Sequence, residues 1–336
     1  MNTKIFIDDK GTFEVQVLTT WKYSLEEENG VCVHTFSEYE VWKPDAFQIS
    51  IQKSNEDIKK KFDSMESIEI NGIKCLVLPE GGFEGFRVKC WMIFIDDEAI
   101  MFTLTHSIKP DEDMEPKPLE EKLDEARQAI GSFKLIKPEH SEPRLNSYRF
   151  DMFLQGVAAT AYMVNKAVEN HAFIEATCLF ASQIDGLLRI GIILQKQIAN
   201  KNRVIEKEWI YQGLSDRKKS EKDIYKEAKE LGILDDTTFD KLYNLLYNDR
   251  NRVIHRFIIS EITLAEIENI AYEYYQMQQK ITSIVHDIET KQIELGVGMT
   301  IDTSNETVEK NNINLVSPTD FIRGKIGKQN YFEKKD

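Results

Sequence analysis

The stretch FIEATCLFASQIDGLLRIGIILQKQI, residues 173–198, decides how the second part of this chain folds. Ile174, Cys178, Ala181, Ile184, Leu188 and Ile192 recur at spacings of three and four, which is the period of one helical face. Glu175, Asp185 and Arg189 interrupt the apolar run from Ala172 to Gln195, so the run predicts a core helix and not a membrane span. Upstream, Phe150–Glu169 is a further amphipathic stretch. Downstream, a polar segment (Ala199–Ser220) leads to a helix over Glu221–Leu231. Asp235-Asp236 then caps a helix that runs from Thr237 into Arg250–His255. Thr263-Leu264-Ala265-Glu266 is a capping box opening a last long helix with Ile267, Ile270, Tyr274, Met277, Ile281 and Ile284 on one face. Residues 145–295 therefore read as an all-α bundle, and 296–336 as a flexible tail with a short docking segment at Asp320–Ile326.

The first part has a different period. Phe13–Leu18, Val31–Phe36, Ala46–Gln52, Ile73–Leu78, Phe86–Ile95 and Ile100–Thr105 are short β-branched and aromatic runs separated by turn signals such as Glu28-Asn29-Gly30 and Asn71-Gly72. Helical patterns at Glu56–Met65 and Leu119–Ile130 complete an α+β domain over 1–138, expected to be one antiparallel sheet with helices on a face. Pro110–Pro118 and Pro138–Pro143 read as loops, the second as a domain boundary. Gly81-Gly82-Phe83-Glu84-Gly85 lacks the following Lys-Ser/Thr of a phosphate cradle and reads as a hairpin loop.

The net charge of −14 is unevenly spread. Residues 1–140 hold 17 Lys/Arg against 28 Asp/Glu, whereas 141–295 hold 20 against 23. Such acidity argues against a general nucleic-acid coat protein but leaves room for a local basic site in the second part. Cys32, Cys75, Cys90 and Cys178 show no CxxC spacing, so neither structural zinc nor a disulfide framework is expected. His34 and His106 lie in or beside strands without ligand partners and read as structural, and no metal or other cofactor is implied. The opening MNTKIFIDDKG lacks an apolar signal core, so the expectation is a cytoplasmic protein with no membrane association.

Asp249-Arg-Asn-Arg-Val-Ile-His-Arg256 concentrates three arginines and a histidine. A histidine near neutral pKa can move a proton, and a guanidinium can hold phosphate oxygens. The same residues equally serve as a solvated helix end that complements the macrodipole. On an unbroken helix Asn251, Arg252, His255 and Arg256 share a face, while Arg250 and His255 stand roughly 140° apart. For both to act on one phosphate, the helix must distort between them or a second subunit must complete the site. Asp185 and Arg189, at i and i+4, are either second partners of that site or an ion pair at the core edge. Arg217-Lys218-Lys219 can grip an RNA backbone or simply be solvated. Tyr272, Tyr274 and Tyr275 can stack bases or fill core and rim.

The segment LYNLLYNDRNRVIHRF, residues 242–257, followed by a capped helix, resembles the core motif of the HEPN superfamily: an arginine, a polar residue and, after a spacing of four, a histidine. The resemblance spans roughly 145–290. It implies a metal-independent endoribonuclease acting as a homodimer, with catalytic Arg250, Asn251 and His255 and with Arg252, Arg256, Asp185, Arg217, Lys218 and Lys219 in support. His255 would act as general acid–base at the 2′-hydroxyl and leaving oxygen, Arg250 on the phosphate, and Asn251 in orientation. It also implies a toxin or antiphage-defence effector. Phe257 stands where the tyrosine modified by a nucleotidyltransferase partner is found in some members, so that control is not implied. In the first domain, FEVQVL (13–18), Trp21, a strand ending in His34-Thr-Phe, AFQISIQ (46–52) and SFKL (132–135) resemble the PsbP-like fold, which implies a sensing or partner-binding role. A regulatory protein partner is thus expected at this domain or the tail. The alternative is a non-catalytic helical dimerisation module that presents the first domain and the tail to protein partners.

Overall fold

The computed structural model describes residues 2–28, 30–38, 46–62, 64–83, 85–107, 118–213 and 219–300, side chains of Glu28 and Phe83 excepted. Arg217, Lys218, most of Pro110–Pro118 and the docking segment Asp320–Ile326 lie outside them. The chain divides between Glu142 and Pro143 into two compact units.

In unit 1, alternating apolar residues build two antiparallel sheets among the described residues, where one was expected. The smaller has the order β1 (Thr3–Ile7), β2 (Phe13–Leu18) and β11 (Lys134–Leu135). The larger runs β3 (Lys22–Glu28), β4 (Val31–Ser37), β5 (Ala46–Lys53), β10 (Glu98–Ser107), β9 (Phe86–Ile95), β7 (Ile73–Val77) and β6 (Ser67–Ile70), with β8 (Gly81–Phe83) on β9. The register sets Phe102 opposite Ile49 and Trp91, and Phe36 opposite Phe47, so one face is a continuous aromatic layer. Helix α1 (Glu56–Lys61) is short and buries no residue. Helix α2 (Leu119–Ser132) lays Leu123, Ala126, Ala129 and Ile130 on the aromatic layer, and Phe133, just beyond it, stacks on Phe13 at 5.4 Å.

His34 and His106 are both buried in this unit. The His34 Nδ1 lies 3.0 Å from the Tyr23 hydroxyl, and its ring meets Phe13 edge-on at 4.9 Å. Burial lowers the His34 pKa, opposed by the charges of Asp8 and Asp9. Because the folded value lies below the unfolded one, the unfolded chain takes up the proton first as pH falls below about 6.5. The His34 contribution is thus present above that pH and is lost as pH drops toward the folded value. Protection factors of the β2 and β4 amides, each rate being taken relative to an unprotected amide at the same pH, are expected to fall from pH 7.5 to pH 5 in wild type and less so in His34→Phe. Equal pH slopes in the two proteins would refute this.

Helix α3 (Pro138–Glu169), all but its first five residues in unit 2, begins where a loop was expected. Pro138 opens the helix, where its missing N–H has no partner to lose, whereas Pro143 lies inside it and gives up one backbone bond; Ser147 Oγ donates to the Pro143 carbonyl at 3.0 Å. Helix α4 (Phe173–Asn200) packs along α9 (Leu264–Leu295) as the central pair. Ala181, Ile184, Leu188 and Ile192 are buried as their spacing predicts, whereas Ile174 at the helix start is exposed. α4 is long and apolar enough to cross a membrane by length and composition, but 67% of the relevant window is buried inside the unit. Gln197 and Gln292 are fully buried between the two helices; Gln292 Nε2 donates to Gln197 Oε1 at 3.0 Å and to the Leu194 carbonyl at 2.9 Å. The first tail residues join this network: the Met299 N–H donates to Gln197 Oε1 and Thr300 Oγ1 to Gln292 Oε1. Residues 296–300, expected to belong to a flexible tail, are therefore held against the bundle, and the rest of that tail lies outside the described residues.

Around the central pair sit α5 (Lys207–Ile210), which carries fully buried Trp209 within the segment read as polar, α6 (Glu221–Glu230) and α7 (Asp236–Asn244). Ser220 with Asp223, Asp235, and Thr263 with Glu266 cap α6, α7 and α9. A π-helical turn, Leu245–Arg250, follows α7 and leads into α8 (Asn251–His255) and a 3-10 turn, Phe257–Ile259.

Candidate functional site

The π-helical turn takes an extra residue and so shifts the phase of everything after it relative to the face set by Leu242 and Leu246. Arg250 closes that turn with its side chain 21% exposed, and Val253 returns to the core. The Arg250 guanidinium donates from Nη1 to Glu221 Oε1 at the start of α6, while its Nε is buried without a hydrogen-bond partner. On α4, Asp185 accepts from Arg189 Nε at 2.7 Å, and Arg189 Nη1 reaches the Trp209 carbonyl at 3.0 Å. Burial raises the pKa of both carboxyls, opposed at Asp185 by Arg189 and Arg250 and at Glu221 by Arg250. Burial likewise raises the phenols of Tyr225 and Tyr274 and the Cys178 thiol, all within the Arg250 field. The result is a charge-balanced, half-buried cluster of two arginines and two carboxylates walled by tyrosines.

Of the residues singled out in the sequence, Arg250 and Asp185 thus come together, and Glu221 joins them unforeseen. His255 does not. The helical distortion ends at Arg250 instead of lying between Arg250 and His255, and Asn251–His255 is regular helix. His255 and Arg256 are exposed, and their side chains form no hydrogen bond or ion pair among the described residues. Arg252 is also not free: its Nη2 donates to Glu266 at 2.6 Å. The capping N–H of Thr263, followed by Arg252, holds the Glu266 carboxyl down to about 2. Asn251 is half-buried. Lys219 stands 3.6 Å over the Trp209 ring and pairs with Glu208 at 3.1 Å, a role in packing α5. Tyr274 is core, whereas Tyr272 and Tyr275 are exposed rim residues.

Beside His255 lies the most exposed apolar segment of the described residues. Ile258 is 92% exposed, Ile259 83% and Leu264 74%, with Ile254 and Phe257 also at the surface. No cluster of three or more His, Cys, Asp or Glu residues with metal-binding geometry occurs among the described residues.

No family model matches the chain, and no curated protein matches it. Among solved structures, the chain is similar to a protein of Bacteroides thetaiotaomicron VPI-5482 with a crystal structure at 1.50 Å resolution. That match is 20% identical, covers 41% of this chain and 50% of the other, and has a TM-score of 0.32. The chain thus spans about half the length of that protein. It is also similar, over its N-terminal part, to cyanobacterial PsbP (CyanoP) from Synechocystis sp. PCC 6803. There the identity is 12%, with 40% of this chain and 93% of the other covered and a TM-score of 0.27. At these scores neither likeness carries an argument about function.

Proposed function

We propose that this chain is a metal-independent endoribonuclease of HEPN type that works as a homodimer. The observation that carries the reading is the exposed, unpaired His255–Arg256 edge beside the exposed apolar side chains of Ile254, Phe257, Ile258, Ile259 and Leu264. A free monomer gains nothing from two nearly fully exposed isoleucines, and contiguous apolar surface of this kind marks an association site. Pairing of two copies there would cover the isoleucines and bring two His255 side chains to one cleft, near each Arg250.

In that cleft His255 takes the proton of an RNA 2′-hydroxyl as its oxygen attacks the adjacent phosphorus. The 2′-O–P bond forms and the P–O5′ bond breaks. The departing 5′-oxygen receives a proton from the second histidine, leaving a 2′,3′-cyclic phosphate and a 5′-hydroxyl. Arg250 stabilises the crowded phosphate once its bond to Glu221 loosens, and Asn251 orients it. Unit 1 serves as the PsbP-like recognition domain, and growth arrest as a toxin or antiphage effector is the matching biological role.

Purified protein is expected to cleave single-stranded RNA in the presence of a chelator and to leave cyclic-phosphate ends. Intact RNA under those conditions, with dimeric protein, would sink the reading. One observation favours the non-catalytic dimerisation module instead: in this structure Arg250 and Arg189 are both neutralised by carboxylates. That reading predicts a dimer without any cleavage.

A further inference from the structure

Two rows of side chains run side by side on the outer faces of α6 and α7. Lys222, Lys226 and Lys229 recur at i, i+4 and i+7 along α6; Phe239, Tyr243 and Tyr247 recur at i, i+4 and i+8 along α7 and into the π-helical turn. The rings form a ladder, with centroids 5.9 Å apart from Phe239 to Tyr243 and 4.5 Å from Tyr243 to Tyr247. The lysines lie along it in antiparallel order: Lys229 Nζ is 4.5 Å from the centre of the Phe239 ring and Lys222 Nζ 5.8 Å from that of Tyr243.

The rows add to the joint between the two helices without being its core. α6 and α7 bury Ile224, Tyr225, Ala228, Thr238 and Leu242 on their inner faces, and the ladder ends in Tyr247, which is 42% exposed. Lys229 pairs with Asp236 at 2.8 Å, but Lys222 and Lys226 form no ion pair among the described residues. Tyr243 bonds to the Tyr247 hydroxyl and to Lys222, and these bonds lower its pKa. Glu221, Asp223, Glu227, Glu230, Asp236 and Asp240 outnumber the lysines on these two helices, so stacking and not bulk electrostatics must supply most of the affinity.

We infer that this strip binds single-stranded RNA, with bases stacked on Tyr247 and Tyr243 and phosphates against Lys222 and Lys226. Interleaved aromatic faces and cations are what an unpaired strand offers partners for, whereas a duplex hides its base faces. From Phe239 to Tyr247 the helical rise gives about 12 Å, a footprint of a few nucleotides. Tyr247 precedes Arg250 by one turn, so a strand on the ladder is aimed at the proposed cleavage site. This deepens the ribonuclease reading and rests on it for the choice of RNA.

The test uses the full chain carrying His255→Ala, in chelator, and a fluorescein-labelled oligouridylate read by fluorescence anisotropy. Tyr247→Ala is expected to weaken binding about 5- to 150-fold, the loss of one stacked base, while Tyr247→Phe keeps it. The slope of log affinity against log salt is expected near −1.4 for two phosphates on a single strand, and close to zero in K222Q/K226Q. Duplex RNA is expected to bind far less well. Unchanged affinity in Tyr247→Ala, or equal affinity for duplex, overturns the strip. So does the absence of binding by oligouridylate. Binding that behaves as expected in a wild type that never cleaves would keep the strip and remove the nuclease; cleavage with an unchanged KM in Tyr247→Ala would do the reverse.

Discussion

Alanine at His255 is expected to slow RNA cleavage by about 10²- to 10⁴-fold, the usual contribution of a general acid–base group, with no measurable change in folding stability. The second half of that statement comes from the geometry. His255 is exposed at the end of α8 and touches no hydrogen-bond or ion-pair partner among the described residues, so truncation removes nothing the monomer uses. Arg250→Ala should differ in kind. It leaves Glu221 half-buried without its cation, and removing one member of such a pair is destabilising even where the pair itself contributes little. A loss of cleavage in both variants, with loss of stability in Arg250→Ala alone, would separate chemistry from architecture. If His255→Ala cuts as fast as wild type, the assignment of His255 is wrong. Cleavage rates and product ends on a labelled RNA, with circular dichroism melts of the same samples, decide it.

Trp209→Ala is expected to destabilise unit 2 by about 3–5 kcal/mol, the range for deleting a buried aromatic side chain. The indole is 1% exposed and donates from Nε1 to Glu206 at 2.8 Å. Lys219 and Lys196 lie 3.6 and 4.9 Å from its ring centre. Its backbone carbonyl also receives Arg189, the residue that holds Asp185, so the loss reaches the arginine–carboxylate cluster. For a unit of this size the shift in Tm is about 2–4 °C per kcal/mol. Calorimetry of the full chain is the right measurement because two units can give two transitions. Trp209→Phe should recover most of the packing without the hydrogen bond. A cost below about 1 kcal/mol for Trp209→Ala would show that α5 is not anchored as described.

Much of this architecture is legible before any coordinates exist. α4 and α9 announce themselves by apolar residues at spacings of three and four, and Asp235 and the Thr263–Glu266 box mark helix starts by chemistry that works within one turn. Elements whose stability comes from elsewhere in the chain stay hidden. β3, with the sequence KYSLEEE, looks polar and is held as an edge strand by β4; β11 is two residues long and exists because β2 offers it an edge. α5 is a four-residue helix in a segment read as polar, and the buried residue that gives it an inside is Trp209. The start of α3 is masked by Pro138, which a first turn accepts, and by Pro143, which the helix carries inside it at the loss of one bond.

The site divides along the same line. The residues that could do chemistry are readable as types, and so is the awkward angle between Arg250 and His255. That the π-helical turn ends at Arg250 has no local sequence signal; it follows from which residues the bundle accepts at Leu246 and Val253. Glu221 is 29 positions from Arg250 and belongs to another helix, so their pairing is a property of the bundle alone. The aromatic ladder could be seen as a period of four on α7, but its lysine rail sits on α6 and needs the α6–α7 turn to bring it alongside.

The paired amides of Gln197 and Gln292 set the axial alignment of α4 and α9. Apolar helix faces tolerate sliding by a turn, since one leucine-lined groove resembles the next. A buried glutamine has a single position at which its donors and acceptors are met, and a slipped pair would strand them without water. Because Met299 and Thr300 supply two of the donors, the alignment is sealed only when the chain beyond α9 folds back onto it. The vernier between the two longest core helices is thus read last, by residues that arrive after both helices are complete.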